Sequence, residues 1–121
     1  MTVQIRFSDF DPFNHVNNVA YFELMETARA EAVRTHLPKS LRGHLVVRHA
    51  ACAYDREIKG GTRSVEVSVR VAKVGTTSFT IEQEILADAV VVGRGTVVMV
   101  ALDDARQPRP LDDDERAALA G

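Results

Sequence analysis

Val65, Val67, Val69 and Val71 alternate with Glu66, Ser68 and Arg70, the clearest period-two signal in the chain. Successive side chains of a strand point to opposite faces, so this pattern predicts a strand with one face buried and one in water. Its surroundings agree, because everything from His44 to Leu102 has strand character. Leu45 to Tyr54 is apolar with scattered polar residues, and Phe79, Ile81 and Ile85 alternate with Thr80, Glu82 and Glu84. Val90 to Leu102 is apolar on both faces, which predicts a strand buried on both sides. Gly93 and Gly95 inside it point to a bulge or a close backbone approach. Lys59-Gly60-Gly61, Gly75-Thr76-Thr77 and Ala87-Asp88-Ala89 punctuate the run as turns.

Ahead of this block Val3, Ile5 and Phe7 alternate with polar residues, predicting a first strand. From Ala20 to about Leu37 the period changes. Tyr21, Leu24, Met25, Ala28 and Ala32 recur at helical spacing, with Glu23, Glu26, Glu31 and Arg34 among the polar positions. Asn17 and Asn18 are the candidate N-caps, and Pro38 closes the segment. The acidic tail from Asp103 carries Pro108 and Pro110 and predicts a short helix over Asp112 to Ala120. Strand, helix, then four long strands implies an α+β domain, with a helix laid on one face of a mostly antiparallel sheet. At 121 residues the chain fits one domain, 1–121. Valine-rich strands with edges to protect favour self-association.

Several chemistries find no support. Net charge is −2, which gives no electrostatic footprint for nucleic acid. No apolar run approaches membrane-span length, and MTVQIRFSD lacks the layout of a signal peptide, so a cytosolic location is expected. The chain shows no phosphate loop, no GxGxxG and no GxSxG elbow. His15, His36, His44 and His49 fall into no metal-ligand spacing, so no metal is expected. Cys52 has no disulfide partner, faces away from His49 on a strand, and reads as a small core residue.

The polar stretch SDFDPFNHVNN, Ser8 to Asn18, sits between strand and helix. A helix N-terminus presents unpaired N–H groups and a partial positive charge, which can stabilise an oxyanion. A carboxylate just upstream can act as nucleophile or general base. Asp11 precedes Pro12 and is therefore biased toward extended backbone, facing the helix start. Acyl transfer to water is one use of such a pair. Plain turn formation by Asp9 and Asp11, with capping by Asn17 and Asn18, is the other.

Asp9-Phe10-Asp11-Pro12-Phe13-Asn14-His15-Val16-Asn17-Asn18-Val19-Ala20-Tyr21, continued by Glu26-Thr27-Ala28-Arg29, resembles the DxDxxGHVNNxxY…ExAR signature of hotdog-fold acyl-CoA thioesterases. The branch is that of 4-hydroxybenzoyl-CoA thioesterase. The resemblance runs along nearly the whole chain, taking in Lys73 to Phe79 and Gly93 to Val98. It implies a five-stranded antiparallel sheet wrapped around one long helix, in a homodimer or homotetramer. It implies Asp11 as the catalytic carboxylate, attacking the thioester carbonyl or activating water. It places the oxyanion donor at the Asn18 backbone N–H. His15 and Asn17 belong to the motif, and either orient the loop or contact substrate. Tyr21 packs near the site, and Glu26 with Arg29 reads as a helix-surface or interface pair.

Coenzyme A enters as part of the substrate, not as a cofactor, and its phosphates need donors. The resemblance assigns Tyr54, Lys73, Gly75, Thr76, Thr77 and Ser78 to substrate binding. The namesake's basic cluster is missing before Ser78, leaving turn N–H groups with Lys73, Arg56 or Arg63 to substitute. Asn14 stands where glycine is usual, and Glu57 where related proteins often have proline. Phe10, Phe13 and Phe22 are candidates for an apolar or aryl pocket. The expected activity is therefore hydrolysis of an acyl-CoA to free acid and CoA. The rivals are an acyl-carrier-protein thioesterase and a non-catalytic acyl-CoA-binding protein.

Overall fold

A computed structural model describes all 121 residues, Met1–Gly121. The elements are β1 (Thr2–Gln4), α1 (Asn18–His36), β2 (Leu45–Tyr54), β3 (Ser64–Val67), β4 (Arg70–Val74), β5 (Ser78–Ala87), β6 (Val90–Ala101) and α2 (Asp113–Ala120). One antiparallel sheet runs β1-β3-β5-β6-β2, with β4 also on β5. The expected α+β class holds, with six strands in place of five.

The extra strand comes from one residue. Glu66 pairs with Leu86 and Val67 with Ile85, and after the break Arg70 pairs with Glu82 and Val71 with Ile81. The register is the same on both sides, so β3 and β4 are one strand interrupted at Ser68. There the Glu84 N–H donates to Ser68 Oγ at 3.0 Å, while Ser68 N–H donates to the Glu84 carbonyl at 2.9 Å. A serine hydroxyl offers the backbone an alternative partner, and here it takes the acceptor place in the ladder.

The first strand is shorter than its alternation predicts. β1 stops at Gln4, and Phe7 opens a single 3-10 turn over Phe7–Asp9 with its ring in water. Asp9 causes this. Its carboxylate is buried and accepts from the Arg6 N–H at 2.7 Å and from Arg6 Nη2 at 2.8 Å, closing the turn. Burial pushes the Asp9 carboxyl up, but the Arg6 hydrogen bonds outweigh that and the net shift is down.

α1 begins two residues before the predicted start. Asn17 is the N-cap, its Oδ1 accepting from the Val19 N–H at 2.9 Å. Leu37 is the C-cap and Pro38 follows it, as predicted. Ala20, Tyr21, Leu24, Met25 and Ala28 are buried against the sheet. The two glycines of β6 explain how closely α1 sits. A Cβ at Gly93 would meet the Tyr21 ring at 3.0 Å, and one at Gly95 would overlap the Met25 sulfur. Gly93 and Gly95 thus mark a close approach, and a bulge lies beside Gly93 as well, since Ile85 pairs with Gly93 and Leu86 with Val91, leaving Val92 as the extra residue.

The core has two parts. One gathers Val3, Tyr21, Leu24, Ile58, Val65 and Ile85, and the other gathers Leu41, Phe79, Ile81, Val97, Leu111 and Leu119. The tail completes the second part. Asp112 caps α2 in a reciprocal box with Glu115, as the acidic run predicts. Glu115 is fully buried, and Arg109 donates to both of its oxygens at 2.7 and 2.6 Å, with Ser40 Oγ at 2.7 Å. Led by the Arg109 hydrogen bonds, these partners hold its carboxyl down at about 2.

β6 is not buried on both faces as predicted. Its helix-side residues Val92, Val97 and Met99 are buried, while Val91, Thr96 and Val98 on the other face are half-buried and Arg94 is exposed. That outer face is charged, with Arg70 paired to Glu82 and Arg94 to Asp55. β2 is an open edge. Its only partner is β6, and apart from Leu45 and Cys52 its residues are exposed.

Candidate active site

The loop before α1 is built around Asp11. Its N–H donates to the His15 carbonyl at 2.8 Å, and its carbonyl accepts from the Asn14 N–H at 3.1 Å. Asn14 completes the turn at φ 62, the left-handed region that glycine enters freely and asparagine tolerates. Its amide lies against Gly60, where any Cβ would overlap it. Asp11 Oδ1 accepts from the Phe13 N–H at 2.9 Å and the His15 N–H at 3.2 Å. Oδ2 takes no hydrogen bond from the protein, which leaves it available for chemistry.

Asp11, His15, Asn18, Tyr21, Tyr54 and Glu57 border one cavity of about 310 Å³. The helix start opens into it with an unused donor. Val19 N–H is taken by the Asn17 side chain, Asn17 N–H by the Asp9 carbonyl and Ala20 N–H by the Asn17 carbonyl. Asn18 N–H has no partner in the chain, as expected for the first turn of a helix. A half-buried carboxylate and a free N–H with a partial positive charge therefore share one cleft. Tyr21 forms part of the floor, its hydroxyl donating to the Arg56 carbonyl at 2.7 Å and its ring edge-on to Tyr54 at 4.9 Å.

Other predicted residues fall elsewhere. Asn17 is committed to its cap and exposed. Phe13 and Phe22 are exposed and do not border the Asp11 cavity, while Phe10 packs half-buried on the core. Arg29 is not part of a surface pair with Glu26. It is buried, and its Nη1 donates to Gln83 Oε1 at 3.0 Å. Lys73 and the Gly75 to Ser78 turn lie at the far end of the sheet. Tyr54 pairs with Gly93 and Ser78 with Val100, and Gly93 to Val100 is seven strand positions. That is about 23 Å at the usual strand rise. One chain does not bring this turn to Asp11.

Sequence reasoning did not assign Glu57 to the site. Its Oε2 lies 3.0 Å from His15 Nε2, on the cavity wall. The signal was the charged run Asp55-Arg56-Glu57 directly after an apolar strand, at the sheet end that faces the loop. Asp55 is held from across β6 by Arg94 at 2.8 and 3.0 Å, which keeps its carboxyl below the usual range.

A profile of the thioesterase-like superfamily matches residues 5–119. The chain belongs to that superfamily. This chain is a thioester hydrolase with the hotdog fold. A thioesterase from Thermus thermophilus, solved with coenzyme A and zinc, is 32% identical, with 98% of this chain and 89% of that one covered and a TM-score of 0.89. A predicted thioesterase from Bacillus stearothermophilus is 27% identical over 99% and 92%, with a TM-score of 0.84. A thioesterase-superfamily protein from Jannaschia is 29% identical over 99% and 79%, with a TM-score of 0.82. A comparison with curated proteins gives no match. No helix of this thioesterase is long and apolar enough to cross a membrane.

Proposed function

We propose that this thioesterase hydrolyses acyl-CoA, with Asp11 as its catalytic carboxylate. The observation that carries the reading is the shared cleft of the unengaged Asp11 Oδ2 and the unpartnered Asn18 N–H. With the thioester carbonyl oxygen on Asn18 N–H, Asp11 Oδ2 takes a proton from water while the hydroxyl oxygen bonds to the carbonyl carbon. The oxyanion forms against the helix terminus, where one such donor contributes on the order of 3 kcal/mol. Collapse breaks the carbon–sulfur bond, and the proton on Asp11 passes to the departing thiolate. Direct attack by Asp11 gives an anhydride that water then opens, with the same products. Single turnover in 18O-water identifies direct attack when label enters the Asp11 carboxyl, which occurs when water opens the anhydride at the Asp11 carbon, and trapping of the acyl–Asp11 anhydride by hydroxylamine reports the same intermediate when water opens it at the acyl carbon.

Coenzyme A as the leaving group is supported by the Thermus relative's bound ligand and by Arg56 beside the cleft. The test is a panel of acyl-CoA and acyl-carrier-protein thioesters of matched chain length. Faster turnover of the CoA series is expected. Turnover of the carrier-protein series alone would overturn the choice.

The same reading includes a homodimer formed along β2. β2 carries ten residues with one edge unpaired and Val46 and Val47 exposed. Val46, Val100 and Ser78 share one row of the sheet, as do Tyr54, Gly93 and Ile85. A second copy pairing antiparallel on β2 sets its Val46 end beside the first copy's Tyr54 end. Its Gly75 to Ser78 turn then joins the first copy's Asp11 at one end of a continuous sheet.

A further inference from the structure

Arg29 is an unusual residue to bury. It is 8% exposed, sits in the middle of α1, and has no carboxylate within ion-pair distance. Its one protein partner is neutral. Gln83, itself 2% exposed, accepts from Arg29 Nη1 at 3.0 Å and donates its own amide to the Met25 carbonyl at 2.9 Å. That clamp fixes the guanidinium without an ion pair, and Glu26 acts on its charge only from beyond ion-pair distance. Burial pushes the Arg29 guanidinium down, yet an arginine stays charged in proteins.

The remaining nitrogens have somewhere to point. No fully buried side-chain nitrogen lacks a partner, and Nε and Nη2 of Arg29 have none, so both reach open space. Arg29 lines a cavity of about 500 Å³ between α1 and the start of β2. Nε and Nη2 form one edge of the guanidinium, with parallel N–H bonds that match a carboxylate in a bidentate fork. Val33, Leu45, Val47 and Met99 make the cavity apolar, and Arg42, whose guanidinium has no hydrogen-bond partner, stands at the same wall. Arg34 also borders it but is held by Glu31 at 2.5 Å, and Glu26 supplies the one carboxylate. The free charges leave the cavity net positive.

We propose that this cavity binds the carboxylate of an apolar chain, with Arg29 and Arg42 taking the charge and the valine, leucine and methionine walls taking the chain. Two sources carry that chemistry. One is a free aliphatic acid. The other rests on the function and dimer proposed above: Leu45 and Val47 lie at the β2 end that a second copy would bring beside Asp11, so a long acyl group at one site would run into the Arg29 cavity of the other copy. The far end of that acyl group would then be a carboxylate.

The test is titration of the full chain with octanoate and, separately, with 1-octanol, read by calorimetry and amide shifts. Saturable octanoate binding is expected, with shifts at Ala30, Val33 and Gly43 and much weaker binding of the alcohol. Arg42→Ala, at an exposed position, should weaken octanoate by about tenfold, the worth of one charge-assisted hydrogen bond. Arg29→Met should abolish it, with a melting curve as the folding control. If Arg29→Met does not fold, Arg42→Ala decides alone. Equal affinity for the alcohol, shifts confined to His15 and Asn18, or an unaltered Arg42→Ala affinity would overturn the proposal. Turnover of octanoyl-CoA beside its eight-carbon ω-carboxylate analogue identifies the source. A lower KM for the ω-carboxylate, lost in Arg42→Ala, assigns the acyl chain, and equal KM values with octanoate bound assign the free acid. Octanoate binding without turnover of either thioester would fault the function proposed above and leave this site standing.

Discussion

Asn14 and Gly60 show how a motif residue is held in place. Asn14 sits at φ 62 with its amide over Gly60. Alanine at 14 would be strained there, whereas glycine would not, so Asn14→Ala should cost about 1 kcal/mol more than Asn14→Gly in chemical denaturation. Gly60→Ala should cost no more than about 1 kcal/mol, because the new Cβ meets only the exposed end of the Asn14 side chain, which can swing away. A larger loss would show that the loop depends on this contact. Glu115 makes the pH-dependent prediction. Its folded value of about 2 lies below the ordinary 4.5, so its stabilisation is complete above pH 4.5 and lost as pH falls toward 2. The size is on the order of 3 kcal/mol. Thermal midpoints should fall across that window, and Glu115→Gln should be less stable at neutral pH and lose this part of the pH slope. At this scale the Asp11 loop was legible because a motif fixes residue type and spacing together. Glu57 and the Arg29–Gln83 clamp were not, since their partners lie far along the chain and no local spacing encodes them.

At the scale of elements, periodicity located each long strand and both helices but missed where hydrogen bonding overrides it. The alternation of Val65 to Val71 is true of the register, and the interruption is the work of the Ser68 hydroxyl. Ser68→Val should restore an unbroken ladder and change stability by no more than about 1 kcal/mol. A loss above about 2 kcal/mol would mean that the hydroxyl is required for the bend. Phe7 continued the alternation of Val3 and Ile5 in sequence alone, and the Asp9 turn ended the strand first. β2 is the reverse case. Its apolar composition marked it as a strand, but only its place at the sheet edge reveals that nothing in the chain covers it.

For the whole molecule, the open edge and the divided site make the same demand. Lys73 and the Gly75 to Ser78 turn lie about 23 Å along the sheet from the Asp11 end, so the proposed substrate site unites them only in the proposed dimer. In solution, amide exchange across Leu45–Tyr54 should be slow on both edges of β2, and the mass should be that of at least two chains. A 13.3 kDa species with fast exchange at alternate β2 amides would remove the dimer. Sequence carried the fold class and the likeness to thioesterases, while the proposed dimer depends on which edge is left free, a property of the folded sheet.

Free thiol released from acyl-CoA by the Asp11→Asn chain, measured beside the unaltered chain, bears most directly on the catalytic role of Asp11. Turnover should fall by at least about a hundredfold, the scale of a lost general base or nucleophile, with the melting midpoint and assembly mass unchanged. Undiminished hydrolysis by a folded Asp11→Asn chain would contradict it.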